Sequence, residues 1–238
     1  MRLPLVLLPG MNCGPGLWDD PVAELASAQA EPPPREVVVA RLDQPSMDGQ
    51  VQALLDRLPA RFALGGLSLG AIVAMAVHRL APERVAGLFL VATNSRPPTV
   101  AQHAAWRAEL ARLAAAETPR DLQRDLLPAL VGADAAPALR ERALELADDT
   151  ASDELAAQLR LQGTRTDERP GLRQVTVPCT IVAASEDQLC PLDRHTEIHL
   201  LVRKSELVVV PGAPHLVTLS HGRSVADALT SWLRRVDG

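Results

Sequence analysis

A serine between two glycines, in the segment Gly66-Leu67-Ser68-Leu69-Gly70, is the feature of the chain with the clearest chemical meaning. The pattern is typical of a nucleophile elbow, in which a strand (residues 61–64) turns sharply into a helix (residues 71–80). Glycine suits so tight a turn because it has no Cβ to collide with the neighbouring backbone. The Leu69 N–H would then point into the same space as the serine hydroxyl, at a helix N-terminus that favours negative charge. The alternative is a glycine-rich turn with a solvated serine, and the flanking strand and helix argue against it.

A nucleophilic serine needs a base and an acid within reach, and two later segments offer them. Ser185-Glu186-Asp187 and Pro214-His215 each follow an apolar run that predicts a strand. His215 suits the role of base because imidazole titrates near neutral pH. Asp187 would orient that imidazole, with Glu186 as the neighbouring rival. Alone, Asp187 could cap the next helix and His215 could be a loop residue. Together with Ser68 they follow the chain order of the hydrolases that carry a nucleophile elbow, which favours a Ser68–Asp187–His215 triad.

Other polar residues offer weaker chemistry. His195 and His199 lie four residues apart on a predicted helix, but the metalloprotease pattern would place a glutamate directly after the first histidine. We therefore predict an exposed helix face for both, and a surface position for His221. Cys13 follows the first strand, yet no histidine is arranged to activate it as a nucleophile. We expect neither a metal nor a cofactor.

These candidates need a scaffold that brings the ends of several strands together. Strand and helix alternation implies a parallel sheet with helices on both faces, and functional side chains gather at the carboxyl ends of such strands. Residues 99–166 interrupt the alternation with three or four predicted helices, separated by Pro119, Pro128 and Pro137. Strands are predicted at residues 3–8, 36–41, 61–64, 85–91, 180–184 and 206–210. Helices are predicted at residues 21–29, ended by Pro32–Pro34, and at 49–58, 71–80, 192–202 and 224–236.

Composition limits the functional classes. The 238 residues are 47% hydrophobic with a net charge of −5 and no long charge runs, which argues against nucleic acid or an anionic membrane as partner. The chain has no Tyr, so its core and any pocket should be largely aliphatic. The N-terminal apolar run is too short for a membrane span and lacks a signal-peptide layout, so we interpret it as a buried strand. Cys13, Cys179 and Cys190 show no metal-type spacing, and we expect free thiols in the cytoplasm.

Four segments together resemble the α/β-hydrolase superfamily over essentially the whole chain, and within it small bacterial carboxylesterases with a helical cap. Three segments depart from the common pattern: the oxyanion loop has Pro9-Gly10 where His-Gly is common, and Ser185 and Pro214 each stand where glycine is common. None of these changes removes a catalytic atom. The matching segments are Leu7-Leu8-Pro9-Gly10-Met11, Gly66-Leu67-Ser68-Leu69-Gly70, Ser185-Glu186-Asp187-Gln188-Leu189-Cys190-Pro191 and Pro214-His215-Leu216.

The resemblance implies a domain division and a set of roles. A core domain would comprise residues 1–95 and 171–238, and a helical cap residues 96–170, inserted after the fourth strand. The N–H groups of Met11 and Leu69 would bind an oxyanion. Asn94 ends the strand where some relatives carry their acid, and as an amide it cannot fill that role. Residues expected near the substrate are Asn12, Trp106, Leu189 and Leu216, with Trp106 also a candidate for the cap's own core.

The implied activity is hydrolysis of a small-molecule carboxylic ester through an acyl-enzyme. Thioester hydrolysis would use the same groups, as would a lyase or a cofactor-free perhydrolase, because one fold hosts many chemistries. A non-catalytic binding protein is the remaining class, and an intact triad argues against it. Dehalogenases and epoxide hydrolases of this superfamily use an Asp nucleophile where this chain has Ser68. The sequence leaves a homodimer open.

Overall fold

The computed structural model describes residues 2–28 and 34–238, and its centre is a six-stranded sheet. The strand order is β2-β1-β3-β4-β5-β6, and every neighbouring pair is parallel, as the alternation of strands and helices predicts. The carboxyl ends of all six strands therefore lie at one edge. The strands are β1 (Leu5–Leu8), β2 (Val37–Val39), β3 (Phe62–Leu67), β4 (Val85–Val91), β5 (Cys179–Ala184) and β6 (Ser205–Val210).

Helices precede or follow every strand, and five of them in succession separate β4 from β5. None of the helices in the described ranges is long and apolar enough to cross a membrane. The predicted end of the first helix near Gln29 and the break at Pro32 and Pro33 fall outside the described residues. The helices are α1 (Asp19–Ala28), α2 (Met47–Arg57), α3 (Leu69–Leu80), α4 (Val100–Ala114), α5 (Pro119–Val131), α6 (Pro137–Asp148), α7 (Ser152–Gly163), α8 (Arg169–Leu172), α9 (Leu192–Leu201), α10 (Val217–Ser220) and α11 (Gly222–Asp237).

The four central strands β1, β3, β4 and β5 are buried on both faces. Successive side chains of each strand point to opposite sides of the sheet, and each side is covered. Leu5 and Leu7 of β1 belong to one apolar cluster, which contains residues of α1 and α11. Val6 and Leu8 belong to a second cluster, which contains residues of α2, α3 and α9. This two-sided burial explains why the strands read as continuous apolar runs.

Most elements differ from the predicted ranges by one to three residues at an end, and two differences have a clear physical cause. β3 continues to Leu67, because Gly65 and Gly66 pair with both β1 and β4 and Leu67 pairs with β4. Pro128 does not separate two helices but lies inside α5. Proline removes one backbone N–H from a helix, and this proline is exposed, so water can reach the carbonyl left without its donor.

Candidate active site

The turn after β3 holds Ser68 in a backbone conformation that side chains rarely adopt. Ser68 has φ 54° and ψ −115° and is the N-cap of α3. Such a conformation costs about 1–3 kcal/mol and persists only where neighbours impose it. Here the Ser68 N–H donates to the Val91 carbonyl at 2.9 Å, and the Thr93 hydroxyl donates to the Ser68 carbonyl at 3.1 Å. The neighbouring strand β4 thus holds the serine in its strained position.

The glycines on either side of Ser68 are required by close backbone contacts. A Cβ on Gly66 would overlap the backbone of Gly70 and Ala71, and a Cβ on Gly70 would overlap the carbonyl of Leu8. Any larger residue would therefore separate β3 from α3, or α3 from β1. Leu69 is the first residue of α3, so its N–H is one of the donors that the helix itself does not use.

A buried acid–base pair lies beyond β5 and β6. His215 Nδ1 lies 2.7 Å from Asp187 Oδ2, and only 3% of His215 and 4% of Asp187 are exposed. Asp187 Oδ1 also accepts the N–H groups of Leu189 and Cys190, both at 2.8 Å. Glu186, the rival acid in the sequence, is exposed to solvent. The geometry thus places Asp187, the acid favoured from the sequence, against the histidine.

Two further hydrogen bonds hold the acid turn against the histidine loop. The Gly212 N–H donates to Ser185 Oγ at 2.8 Å, and the Glu186 N–H donates to the Ala213 carbonyl at 2.9 Å. Gly212 has φ +68°, a conformation that favours glycine. Ser185 therefore uses its hydroxyl to orient the loop that carries the histidine.

The loop after β1 is held by two glutamines that the sequence analysis did not single out. Asn12 has φ 55°, and its N–H donates to Gln158 Oε1 at 2.8 Å. Its side-chain Nδ2 donates to the Pro119 carbonyl at 2.8 Å and to Gln123 Oε1 at 3.1 Å. Gln123 belongs to α5 and Gln158 to α7. A polar residue on an amphipathic helix gives no sequence signal that it is buried, so only the tertiary structure reveals these contacts.

A cavity of about 240 Å³ joins the serine, the histidine and this loop. The segment between β4 and β5 contributes several walls, including Trp106 of α4 and Arg165, which follows α7. Of the four residues expected near the substrate, three line the cavity: Trp106, Leu189 and Leu216. Met11, expected to donate to the oxyanion, lines it as well. Asn12 does not line it, and its side chain is committed to α5, so its position does not favour substrate binding. Further lining residues are Gly10, Cys13, Leu67, Ser68, Ile72, Asn94, Gln102, Glu109, Gln123, Leu126, Leu130, Gln162, Cys190 and His215.

The prediction that His195 lies on an exposed helix face is wrong. His195 is fully buried on α9, and its Nε2 accepts the Thr93 N–H at 2.9 Å. Desolvation by burial lowers the pKa of His195, although the nearby Asp187 acts in the opposite direction. His199 is half-buried, with Nδ1 2.8 Å from Ser205 Oγ. The error arises because α9 buries His195 together with Ile198, and the imidazole accepts the Thr93 N–H just beyond the end of β4.

One further thiol, Cys13, and one further imidazole, His221, do not belong to the acid–base pair. Cys13 lines the cavity, but burial raises the pKa of its thiol to about 12, so it stays protonated at neutral pH. His221 is half-buried beside Ser220 and is not a lining residue. Neither group is placed to act as nucleophile or base.

In the described part of the chain, one cluster brings together side chains of the types that bind metal ions. Ligand atoms of Asp187, Cys190 and His215 lie within 4.8 Å of one another. Burial raises the pKa of the Cys190 thiol to about 12, however, and both Asp187 oxygens already accept hydrogen bonds. A thiolate is the form that binds metals, so this cluster fits an acid–base pair better than a metal centre.

Comparison with known proteins places the chain in a family. The model of the Alpha/beta hydrolase family matches residues 5–228. The chain belongs to the α/β-hydrolase family. This membership confirms the resemblance inferred from the oxyanion, elbow, acid and base segments.

Individual similarities agree with this family. The chain is 34% identical over 110 residues to the pimeloyl-[acyl-carrier protein] methyl ester esterase of Nitrosomonas europaea, covering 43% of this chain and 40% of that protein. It is 26% identical over 240 residues to the biotin biosynthesis bifunctional protein BioHC of Cellvibrio japonicus, covering 94% of this chain and 46% of that protein. The matches thus span less than half the length of these two curated relatives. The structure of a thermophilic esterase from Thermogutta terrifontis (malate bound) superposes with a TM-score of 0.87 at 23% identity, covering 100% of this chain and 92% of that one.

Proposed function

We propose that this α/β-hydrolase is a serine hydrolase that cleaves small-molecule carboxylic esters through an acyl-enzyme. The observation that carries the proposal is the buried His215–Asp187 contact of 2.7 Å, next to a cavity that His215 shares with the strained Ser68. Strained backbone and buried acid–base pairs are costly to maintain, and they concentrate at sites of chemistry.

Each group has a defined task in this mechanism. Ser68 Oγ attacks the ester carbonyl carbon while His215 Nε2 accepts the hydroxyl proton. Asp187 holds the Nδ1–H tautomer and stabilises the imidazolium that forms. The N–H groups of Met11 and Leu69 stabilise the oxyanion, a contribution of about 2.7–4 kcal/mol per donor in well-studied enzymes. His215 then protonates the leaving alcohol, and water hydrolyses the acyl-enzyme by the reverse sequence.

We also propose that residues 96–170 act as a cap over the core domain formed by residues 1–95 and 171–238. Support comes from Trp106 of α4 and Leu126 and Leu130 of α5, which line the same cavity as Ser68. Such apolar walls can desolvate a short acyl chain. The predicted cytoplasmic location and the homodimer left open by the sequence stay predictions.

The test is a panel of acyl esters and acyl thioesters assayed with wild type and variants. Ser68→Ala should abolish turnover, and a fluorophosphonate probe should label wild type at Ser68 and nowhere else. Asp187→Asn should lower kcat by about 10⁴-fold through the wrong histidine tautomer, whereas the matched control Glu186→Gln should change kcat little, since Glu186 is exposed.

Several outcomes would redirect the proposal. Labelling at another serine, or full activity in Ser68→Ala, would remove Ser68 from the mechanism. Turnover of thioesters alone would make the protein a thioesterase, and turnover confined to a carbon–carbon bond substrate would make it a lyase on the same triad. A larger loss in Glu186→Gln than in Asp187→Asn would reverse the choice of acid.

A further inference from the structure

The cavity contains a buried arginine that the proposed ester chemistry does not use. Arg165 follows α7 by two residues, is 7% exposed and lines the same cavity as Ser68 and His215. Its guanidinium carbon lies 5.9 Å from the centre of the Trp106 ring. Arginine is rarely buried unless its charge is paired, so the surroundings of this guanidinium need an explanation.

All hydrogen-bond partners of Arg165 in the described part of the chain are neutral. Nη1 donates to Gln162 Oε1 at 2.8 Å, and Nη2 donates to Asn94 Oδ1 at 3.2 Å and to the Arg96 carbonyl at 2.9 Å. Nε is buried without a partner. A guanidinium has five N–H donors, so these three bonds leave two donors unused.

Two other arginines have the carboxylate partner that Arg165 lacks. Arg79 forms an ion pair with Glu168 at 2.9 Å, and Arg96 forms one with Glu197 at 2.9 Å. Arg165 has no carboxylate within ion-pair distance among residues 2–28 and 34–238. Burial lowers the pKa of Arg165 to about 10, so the group stays charged at neutral pH but carries an uncompensated desolvation cost.

The other charged group in the cavity does not neutralise this arginine. Glu109 lines the cavity from α4, and desolvation raises the pKa of its carboxyl, with Arg112 acting in the opposite direction. It forms no ion pair with Arg165. Asp187 accepts hydrogen bonds from Leu189, Cys190 and His215. The positive charge of Arg165 is therefore available to an anion that enters the cavity.

We propose that Arg165 is the binding subsite for a carboxylate of the substrate, so that the preferred esters carry a free carboxylate near the scissile bond. This inference rests on the proposed function and names its substrate class. A carboxylate can accept from the guanidinium N–H groups that remain unused, and charge-assisted hydrogen bonds are about twice as strong as neutral ones. Asn94, Gln162 and Trp106 hold the guanidinium in place without competing for its charge.

The experiment measures binding without turnover. In the Ser68→Ala background, isothermal titration calorimetry at neutral pH compares monoethyl succinate, which carries a carboxylate, with diethyl succinate, which does not. We expect the monoester to bind at least 10-fold more tightly than the diester. Adding Arg165→Gln should reduce this preference to less than 3-fold, and the matched control Arg160→Gln, on the exposed side of α7, should leave it unchanged.

A preference that persists in Arg165→Gln, or no preference in Ser68→Ala, would overturn the subsite. If Arg165→Gln does not fold, Arg165→Lys takes its place: it keeps a charge but loses the planar guanidinium and the position that its neutral partners give it, so the preference should shrink by about 3- to 10-fold. Loss of general stability would weaken both ligands alike and could not mimic this result. Because no step requires catalysis, carboxylate binding without any ester hydrolysis would reject the proposed function and retain the subsite.

Discussion

The two loops that supply the proposed oxyanion donors are held in place in opposite ways. The elbow around Ser68 is fixed by backbone contacts: its glycines touch Leu8 and Ala71, and its peptide groups bond to Val91 and Thr93. The loop around Asn12 is fixed by side chains far away in the sequence, such as Gln158, 146 residues distant. One loop is an integral part of the sheet, whereas the other is tied to the helices between β4 and β5.

The proposed active site is therefore constrained by backbone packing at the elbow and by side-chain hydrogen bonds at the Asn12 loop. The elbow can change only if β1, β3 and α3 move apart, because backbone atoms leave no room for a Cβ. The Asn12 loop can change whenever a glutamine of α5 or α7 changes, without disturbing the sheet. We infer that the position of the nucleophile is rigid across such changes, and that the position of the Met11 donor depends on the helices that also shape the cavity.

The largest expected effect comes from filling the space at the elbow. Gly70→Ala would place a Cβ on the Leu8 and Pro9 carbonyls, so we expect a loss of at least about 3 kcal/mol in unfolding free energy and loss of esterase activity. The matched control is Gly163→Ala, the last residue of α7, whose added Cβ would meet nothing closer than His103 at 3.7 Å. Urea unfolding and ester turnover of both variants measure this. Equal stabilities would show that the elbow can relax.

A smaller effect is expected at the side-chain-held loop. Gln158→Leu removes the acceptor for the Asn12 N–H and the donor for the Leu42 carbonyl. Each unsatisfied group costs about 1–3 kcal/mol, and a displaced Met11 donor should lower kcat by about 10- to 100-fold. Gln52→Leu, on the exposed side of α2, is the control. If kcat were unchanged while the fold lost stability, the loop would not position the oxyanion donor.

The stability of the protein should depend on pH through His195 of α9, which accepts the Thr93 N–H beside the elbow. Burial lowers the pKa of His195 in the folded protein. As pH falls below about 6.5, His195 is therefore protonated in the unfolded chain before it is protonated in the folded one. The stability that neutral His195 contributes is complete above pH 6.5 and is lost as pH falls through its lower folded pKa. The buried His78, with a pKa lowered in the same direction, adds to this trend.

His195→Gln keeps an acceptor for the Thr93 N–H but does not titrate. Its Tm should match wild type at pH 8 and fall less between pH 6.5 and 5, with His78 supplying the remaining slope. His195→Leu should instead lower Tm at every pH, because it leaves the Thr93 N–H without an acceptor. Parallel Tm curves for wild type and His195→Gln would show that His195 does not titrate on folding.

The smallest effect concerns the cavity that both loops border. At about 240 Å³ it can bury a short or medium acyl chain, with about 0.8 kcal/mol, or roughly fourfold in kcat/KM, for each added methylene. A series of p-nitrophenyl esters should show kcat/KM rising over the first few carbons and then falling, without activation by emulsified substrate. Preference for sixteen carbons, or a jump in rate above substrate solubility, would show that residues 96–170 open as a lipase lid.

The features determined by the sequence itself are those that depend on local patterns. Apolar runs with short connections specify the six strands, and the bounds of β4 agree with the prediction because Val85 to Val91 is apolar on both faces. The glycines around Ser68 are readable because steric exclusion acts between residues a few positions apart. The order of serine, aspartate and histidine is readable because each follows a strand and all parallel strands end at one edge.

Only the tertiary structure decided which polar side chains are buried and what they contact. Asp187 rather than Glu186 contacts His215 because one of two adjacent side chains points inward and the other into solvent. Gln158, His195 and Arg165 look like surface residues of polar helices in the sequence. Their burial depends on the packing of elements more than a hundred residues apart for Gln158 and His195, and about seventy for Arg165, and no local pattern carries that information.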